Sequence, residues 1–155
     1  IFKILAIPKI RKSSSKTLIK DIQICYTEPW QKIHWNALQS SYNGSPFFEY
    51  YMDELFVIYN TKEKYLIDLN IKTHQLILKF LQIDSKINLS SNYNSQTELE
   101  DFRDNKFKST KNSVYDQVFS IKKGFKPNLS IIDLVFNLGP ESNNYLEKIE
   151  LSKIF

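Results

Sequence analysis

The chain has 155 residues, of which 42% are hydrophobic and 14% aromatic, and it carries a net charge of +4. That length suits one folded domain with a real core, and that composition excludes a disordered chain. Nineteen of the 21 basic residues are lysine, a diffuse excess that argues against a nucleic-acid partner, because such readers lean on arginine forks.

The opening IFKILAIP starts on Ile1 and not on Met. We expect a fragment that lacks its true beginning and leaves apolar surface uncovered near Phe2, Ile4 and Leu5. Phe2 to Ile7 is predicted as a buried strand ended by Pro8. After the polar, basic stretch KIRKSSSK, Leu18 to Tyr26 is predicted as a second strand. Ile22, Ile24 and Tyr26 alternate there with Asp21, Gln23 and Cys25. The two strands are expected to pair in one small sheet.

Thr27 is placed to cap a helix over about 28–41, with Pro29 in its first turn. Trp30, Ile33, His34, Ala37 and Leu38 share one face of it. Gly44 ends that helix, and Ser45-Pro46 predicts the start of a second over 46–59. The apolar residues Phe47, Phe48, Tyr51, Leu55 and Ile58 imply burial on more than one side. A third helix is predicted over 64–81, with Asn70 the polar exception on an apolar stripe. Residues 90–112 are polar and charged and read as a surface loop, or as a lid.

Order returns at Val114. Ser130 opens a capping pattern, SIID, before a short helix through Leu138. Gly139 sits where a left-handed C-terminal cap belongs, and Pro140 follows it. The expected fold is α+β: a small β-sheet with several packed α-helices, in a single domain spanning 1–155.

Little in this pattern announces chemistry. The lone Cys25 excludes an internal disulfide and a cysteine-rich zinc site. No metal-ligand spacing and no glycine-rich phosphate loop occurs. No apolar run approaches membrane-spanning length and no signal peptide is visible; the single cysteine fits a reducing cytoplasm, and a cytoplasmic protein is expected. His34 lies between two tryptophans. It is either a packed histidine or a proton-transfer group tuned by burial. His74 is expected to face solvent, and Asp53, Glu54 and Asp68 are expected on helix surfaces. Asp133 is a helix-capping residue first.

Three stretches carry a resemblance: EPWQKIHWNALQSSYNGSPFFEYY, YLIDLN, and YDQVFSIKKGFKPNLSIIDLVFNLGPES. In order and spacing they resemble the WbqC-like protein family from the LAIPKI stretch to about Tyr145. The family recurs in gene clusters for O-antigen and other surface polysaccharides. The resemblance implies a role in surface-polysaccharide biosynthesis, as a transferase that modifies a sugar by acyl or aminoacyl transfer, or as a non-catalytic binding or scaffold component.

It also implies site positions. His34 falls on the family's helix histidine and would be the catalytic residue. Tyr42, Asn70, Tyr115, Gln117, Asn128 and Asp133 would bind substrate, an activated sugar or acyl donor. Phe48, Phe125, Ser130 and Asn137 lie within the same motifs. Asn43 stands where the pattern leads us to expect arginine. The family's N-terminal portion, with an early histidine motif, has no counterpart here, which implies that this chain holds part of a site. The resemblance names no cofactor or metal.

Overall fold

The structure, a computed structural model, describes residues 4–10, 17–90, 106–111 and 114–154. It is a helical body, and the expected α+β fold on a small sheet is overturned. The main helices are α1 (Trp30–Tyr42), α2 (Phe48–Asn60) and α3 (Leu66–Phe80). The C-terminal part adds the single turn α4 (Ser120–Lys123), then α5 (Ile131–Leu138) and α6 (Ser142–Glu147). A two-stranded antiparallel ladder joins β1 (Lys106–Lys111) to β2 (Glu150–Ile154), with a register irregularity between Ser109 and Lys111. It uses neither of the predicted strands, and β1 falls inside the stretch read as a loop.

The predicted strands fail for a backbone reason. Residues 22–25 are extended, but their hydrogen bonds are divided between two neighbours. On one side Cys25 donates to the Pro8 carbonyl and Ile10 to that of Gln23. On the other Ile24 donates to the Lys64 carbonyl and Leu66 to that of Ile22. Each side closes one isolated bridge, Lys9↔Ile24 and Gln23↔Tyr65. Pro8 has no amide hydrogen with which to extend the first of these. Ile19–Asp21 is a turn of 3-10 helix and not strand. The period-two pattern therefore located extended backbone with Ile24 buried, but no sheet formed from it.

Helix α2 packs against α1, α3 and α5. The principal core joins Leu38 of α1, Phe48, Tyr51 and Leu55 of α2, Phe80 and Leu81 at the end of α3, and Val135 and Phe136 of α5. Phe48 and Phe136 meet edge to face, with centroids 5.1 Å apart, the arrangement that aromatic quadrupoles favour. A second cluster packs Ile24, Trp30 and Leu69 with Tyr26, Ile58 and Tyr59. Leu5 reaches the main core while Ile4 is exposed; Phe2 lies outside the described residues.

Local signals were partly redirected. Helix α1 begins at Trp30, and Thr27 supplies no cap. The Ser45 hydroxyl does not cap α2 but turns back to donate to the Tyr42 carbonyl at the end of α1. Helix α2 buries one face only, with Tyr50 and Val57 exposed. Ser130 does cap α5, accepting from the Ile132 amide.

Gly139 adopts φ +55°, and a Cβ there would lie 2.5 Å from Cδ1 of Phe47. Phe47 itself donates its amide hydrogen to the Phe136 carbonyl. Glycine thus lets the chain turn beneath the Phe47 ring, from α5 through a 3-10 turn at Gly139–Glu141 into α6. This places Tyr145 of α6 beside Tyr115.

Candidate functional site

The end of α1, the segment leading into α4, and α5 converge on one buried carboxylate. Asp133 lies in the first turn of α5 and is 4% exposed. Tyr115 donates its hydroxyl hydrogen to Asp133 Oδ2 at 2.7 Å. Gln117 donates from Nε2 to the same oxygen at 3.2 Å. Tyr42, the last residue of α1, also hydrogen-bonds this carboxylate, and its ring stands edge-on to Phe136 at 5.2 Å. A buried carboxylate is tolerated where such donors replace its water.

Gln117 is fixed by more than Asp133. Its Nε2 donates to the Lys126 carbonyl, and its Oε1 accepts from the Lys126 amide, both at 2.9 Å. This two-point clasp on the backbone sets which end of the amide faces Asp133. Asn137, one turn after Asp133, donates from Nδ2 to the Asp133 carbonyl at 2.7 Å.

A cavity of about 530 Å³ opens beside this network. Tyr115, Asp116, Gln117 and Asn137 contribute its polar wall, and Val114, Val118 and Leu138 its apolar wall. Gly44 and Pro46 bring in the turn between α1 and α2, and Tyr145 brings in α6. The Tyr115 ring is held edge-on between Phe125, at 5.3 Å, and Tyr145, at 5.2 Å. Asp133 itself is behind the lining, reached through Tyr115 and Gln117.

The electrostatics assign roles within the network. Burial, with the neighbouring Asp133 carboxylate, pushes the phenols of Tyr42 and Tyr115 well above the ordinary tyrosine range. Burial also raises Tyr145. All three are therefore neutral at physiological pH, and Tyr42 and Tyr115 act as hydrogen-bond donors and not as phenolate bases. An apolar wall facing a few fixed polar groups is the ordinary make-up of a small-molecule site.

Of the positions expected to form a site, Tyr42, Tyr115, Gln117 and Asp133 come together here. Asn70 is exposed on α3, and Asn128 is exposed in the turn before Ser130, at φ +55°; neither lines the cavity. His34 sits in the helical body, 5% exposed. Its ring is edge-on to Trp30 at 5.1 Å and to Tyr59 at 6.1 Å. Its Nε2 lies 3.1 Å from the Ala6 carbonyl. A carbonyl only accepts, so Nε2 carries the proton and ties the extended segment 4–10 to α1. His34 is likewise absent from the cavity lining.

The sequence profile of the WbqC-like protein family matches residues 2–105 and 100–145. The chain belongs to the WbqC-like protein family. The matched span includes His34 and every residue of the Asp133 network, so the WbqC-like assignment covers the body and the cavity alike. No curated protein and no solved structure matches the chain.

Among the described residues no group of three His, Cys, Asp or Glu is placed to hold a metal ion, and no helix is long and apolar enough to cross a membrane. Cys25 shares a hydrogen bond with the Thr27 hydroxyl, which lowers its thiol from the ordinary value. The wall residues Val114, Val118 and Tyr145 were not singled out beforehand. Val114 and Val118 are apolar, and only the turn at Gly139 brings the Tyr145 phenol to Tyr115.

Proposed function

We propose that this WbqC-like chain acts in surface-polysaccharide biosynthesis of the O-antigen type and that the cavity beside Asp133 receives a sugar. The observation that carries this reading is the Asp133 carboxylate, buried and bonded to Tyr115 and Gln117 on the cavity wall. Phenol and amide groups, with the Asp116 carboxyl, beside an apolar wall suit a ligand with many hydroxyls and apolar ring faces. The family's recurrence in polysaccharide gene clusters, which the resemblance supplied, selects a sugar from among such ligands. Its donor would be an activated sugar or acyl compound, and the setting would be cytoplasmic.

A second reading is transfer of an acyl or aminoacyl group to that sugar, with His34 as the proton-transfer group. It is favoured by the coincidence of His34 with the motif histidine and by its burial against aromatic rings. It requires the His34 contact with Ala6 to open so that substrate can reach the imidazole. If neither sugar nor donor is altered, a non-catalytic binding or scaffold role follows.

The test is to incubate the chain with a panel of nucleotide sugars and acyl donors and to follow both bound and converted species by mass spectrometry. Sugar retention without conversion supports the binding reading. Conversion that disappears in His34→Gln supports transfer. Neither retention nor conversion contradicts both.

A further inference from the structure

We propose that the turn around α4 docks on a membrane surface bearing anionic headgroups. Ile121 is 98% exposed, Val114 74% and Phe119 49%. Lys122, Lys123 and Lys126 stand exposed among them. Asp116, also exposed, lies between Val114 and Phe119; beyond it, from Gln117 to Ile132, the chain has these three lysines and no acidic residue, so the stretch keeps a positive balance with Asp116 counted. The Lys123 ammonium lies over the Phe119 ring, 5.8 Å from its centroid. Cation and apolar surface are thus presented together, the combination that seats a peripheral protein at the boundary between headgroups and acyl chains.

Charge separates this patch from the exposed apolar residues of α2. Tyr50 and Val57 of α2 are also exposed, but Glu49 and Asp53 lie on the same helix and would be repelled by an anionic surface, while Glu54 is paired with Lys79. The α4 turn is also braced. Gln117 clasps the Lys126 backbone at both of its polar groups, so the turn is held against the cavity wall before any contact is made. Because Gln117, Val118 and Val114 line the cavity, docking here would bring its mouth beside the membrane. The proposal does not depend on what the cavity holds.

The experiment is sedimentation of the 155-residue chain with vesicles of phosphatidylcholine alone or mixed with phosphatidylglycerol. Binding to the mixed vesicles and not to the neutral ones is expected. Changing Lys122, Lys123 and Lys126 together to glutamine should lower partitioning by on the order of a hundredfold, from about fivefold per lysine. Ile121→Ser should weaken it at unchanged charge. Lys32, Lys86 and Lys148, also exposed, changed together to glutamine should leave it intact. All the altered side chains are exposed, and circular dichroism verifies that each variant is folded. Equal loss in the two triple variants would overturn the proposal. So would absence of vesicle binding, including the case in which soluble polyglutamate binds the chain and vesicles do not.

Discussion

Tyr115 hydrogen-bonds Asp133 at 2.7 Å across 18 positions of sequence. The intervening chain folds through α4 and the Gly124 turn, and Gln117 pins it back on Lys126. One contact therefore joins the segment before α4 to the first turn of α5 and forms the wall of the cavity.

Removing the hydroxyl should expose how much this contact contributes. Tyr115→Phe leaves the ring in place and takes one donor from a buried carboxylate. Hydrogen bonds to charged groups contribute about 1.5–3 kcal/mol, and the half-buried position of Tyr115 puts the expected loss at the lower end. Urea unfolding of parent and variant measures it. A loss within error of zero would show that Asp133 is solvated in another way.

The tyrosines also predict a pH dependence. Tyr42 and Tyr115 hold their protons above the ordinary range in the folded chain. A group whose folded pKa is raised contributes stability in full below its unfolded value and loses it as pH rises through the folded value. The contribution of these two groups should thus be constant around neutral pH, and stability should fall once pH passes roughly 10. Ultraviolet absorbance should show two phenols that ionise only together with unfolding. Early ionisation of all nine tyrosines would contradict the buried placement.

Packing predictions follow from the core. Phe136 is 1% exposed and touches both Phe48 and Tyr42. Phe136→Ala should cost about 3–5 kcal/mol. Gly139→Ala should be destabilising by more than about 2 kcal/mol, since a β-carbon meets the Phe47 ring at a backbone angle that side chains avoid. Thermal denaturation compares the two. A neutral Gly139→Ala would mean that Phe47 moves aside freely.

Much of this was visible along the chain and some could not be. The three long helices and the Ser130 cap follow from helical spacing and capping chemistry, which act over a few residues. Gly139 was legible as the helix end with a positive φ, but its φ 55° and ψ −127° are not those of the left-handed cap expected there. The sheet was a wrong inference, because alternation at Ile22, Ile24 and Tyr26 reports extended backbone but not how many partners that backbone finds. Here the partners were two short segments, 8–10 and 64–66, each closing one bridge. The site divides in the same way. Tyr115, Gln117, Asn128 and Asp133 lie within one motif, and all four were assigned by the resemblance. The fold brings Tyr115, Gln117 and Asp133 together and turns Asn128, and Asn70 of α3, outward. That Tyr42 reaches Asp133 depends on how α1 packs against α5, which no local pattern encodes.

The position of His34 predicts a separation of effects. Its contact with the Ala6 carbonyl and its two aromatic neighbours make His34→Gln a modest stability change, because glutamine can still donate to that carbonyl. If His34 transfers a proton, the same change lowers turnover about a hundredfold or more. Thermal stability and conversion, scored separately, distinguish the two.

If the Asp133 network forms the wall of a sugar site, native mass spectrometry of the chain with a panel of nucleotide sugars will show it. Retention of a sugar by the parent, with at least tenfold weaker retention by folded Asp133→Asn and Tyr115→Phe variants and none of that loss in Asn70→Ala, is the predicted result. Retention by Asp133→Asn and Tyr115→Phe equal to the parent's, or no retention by the parent, would contradict it.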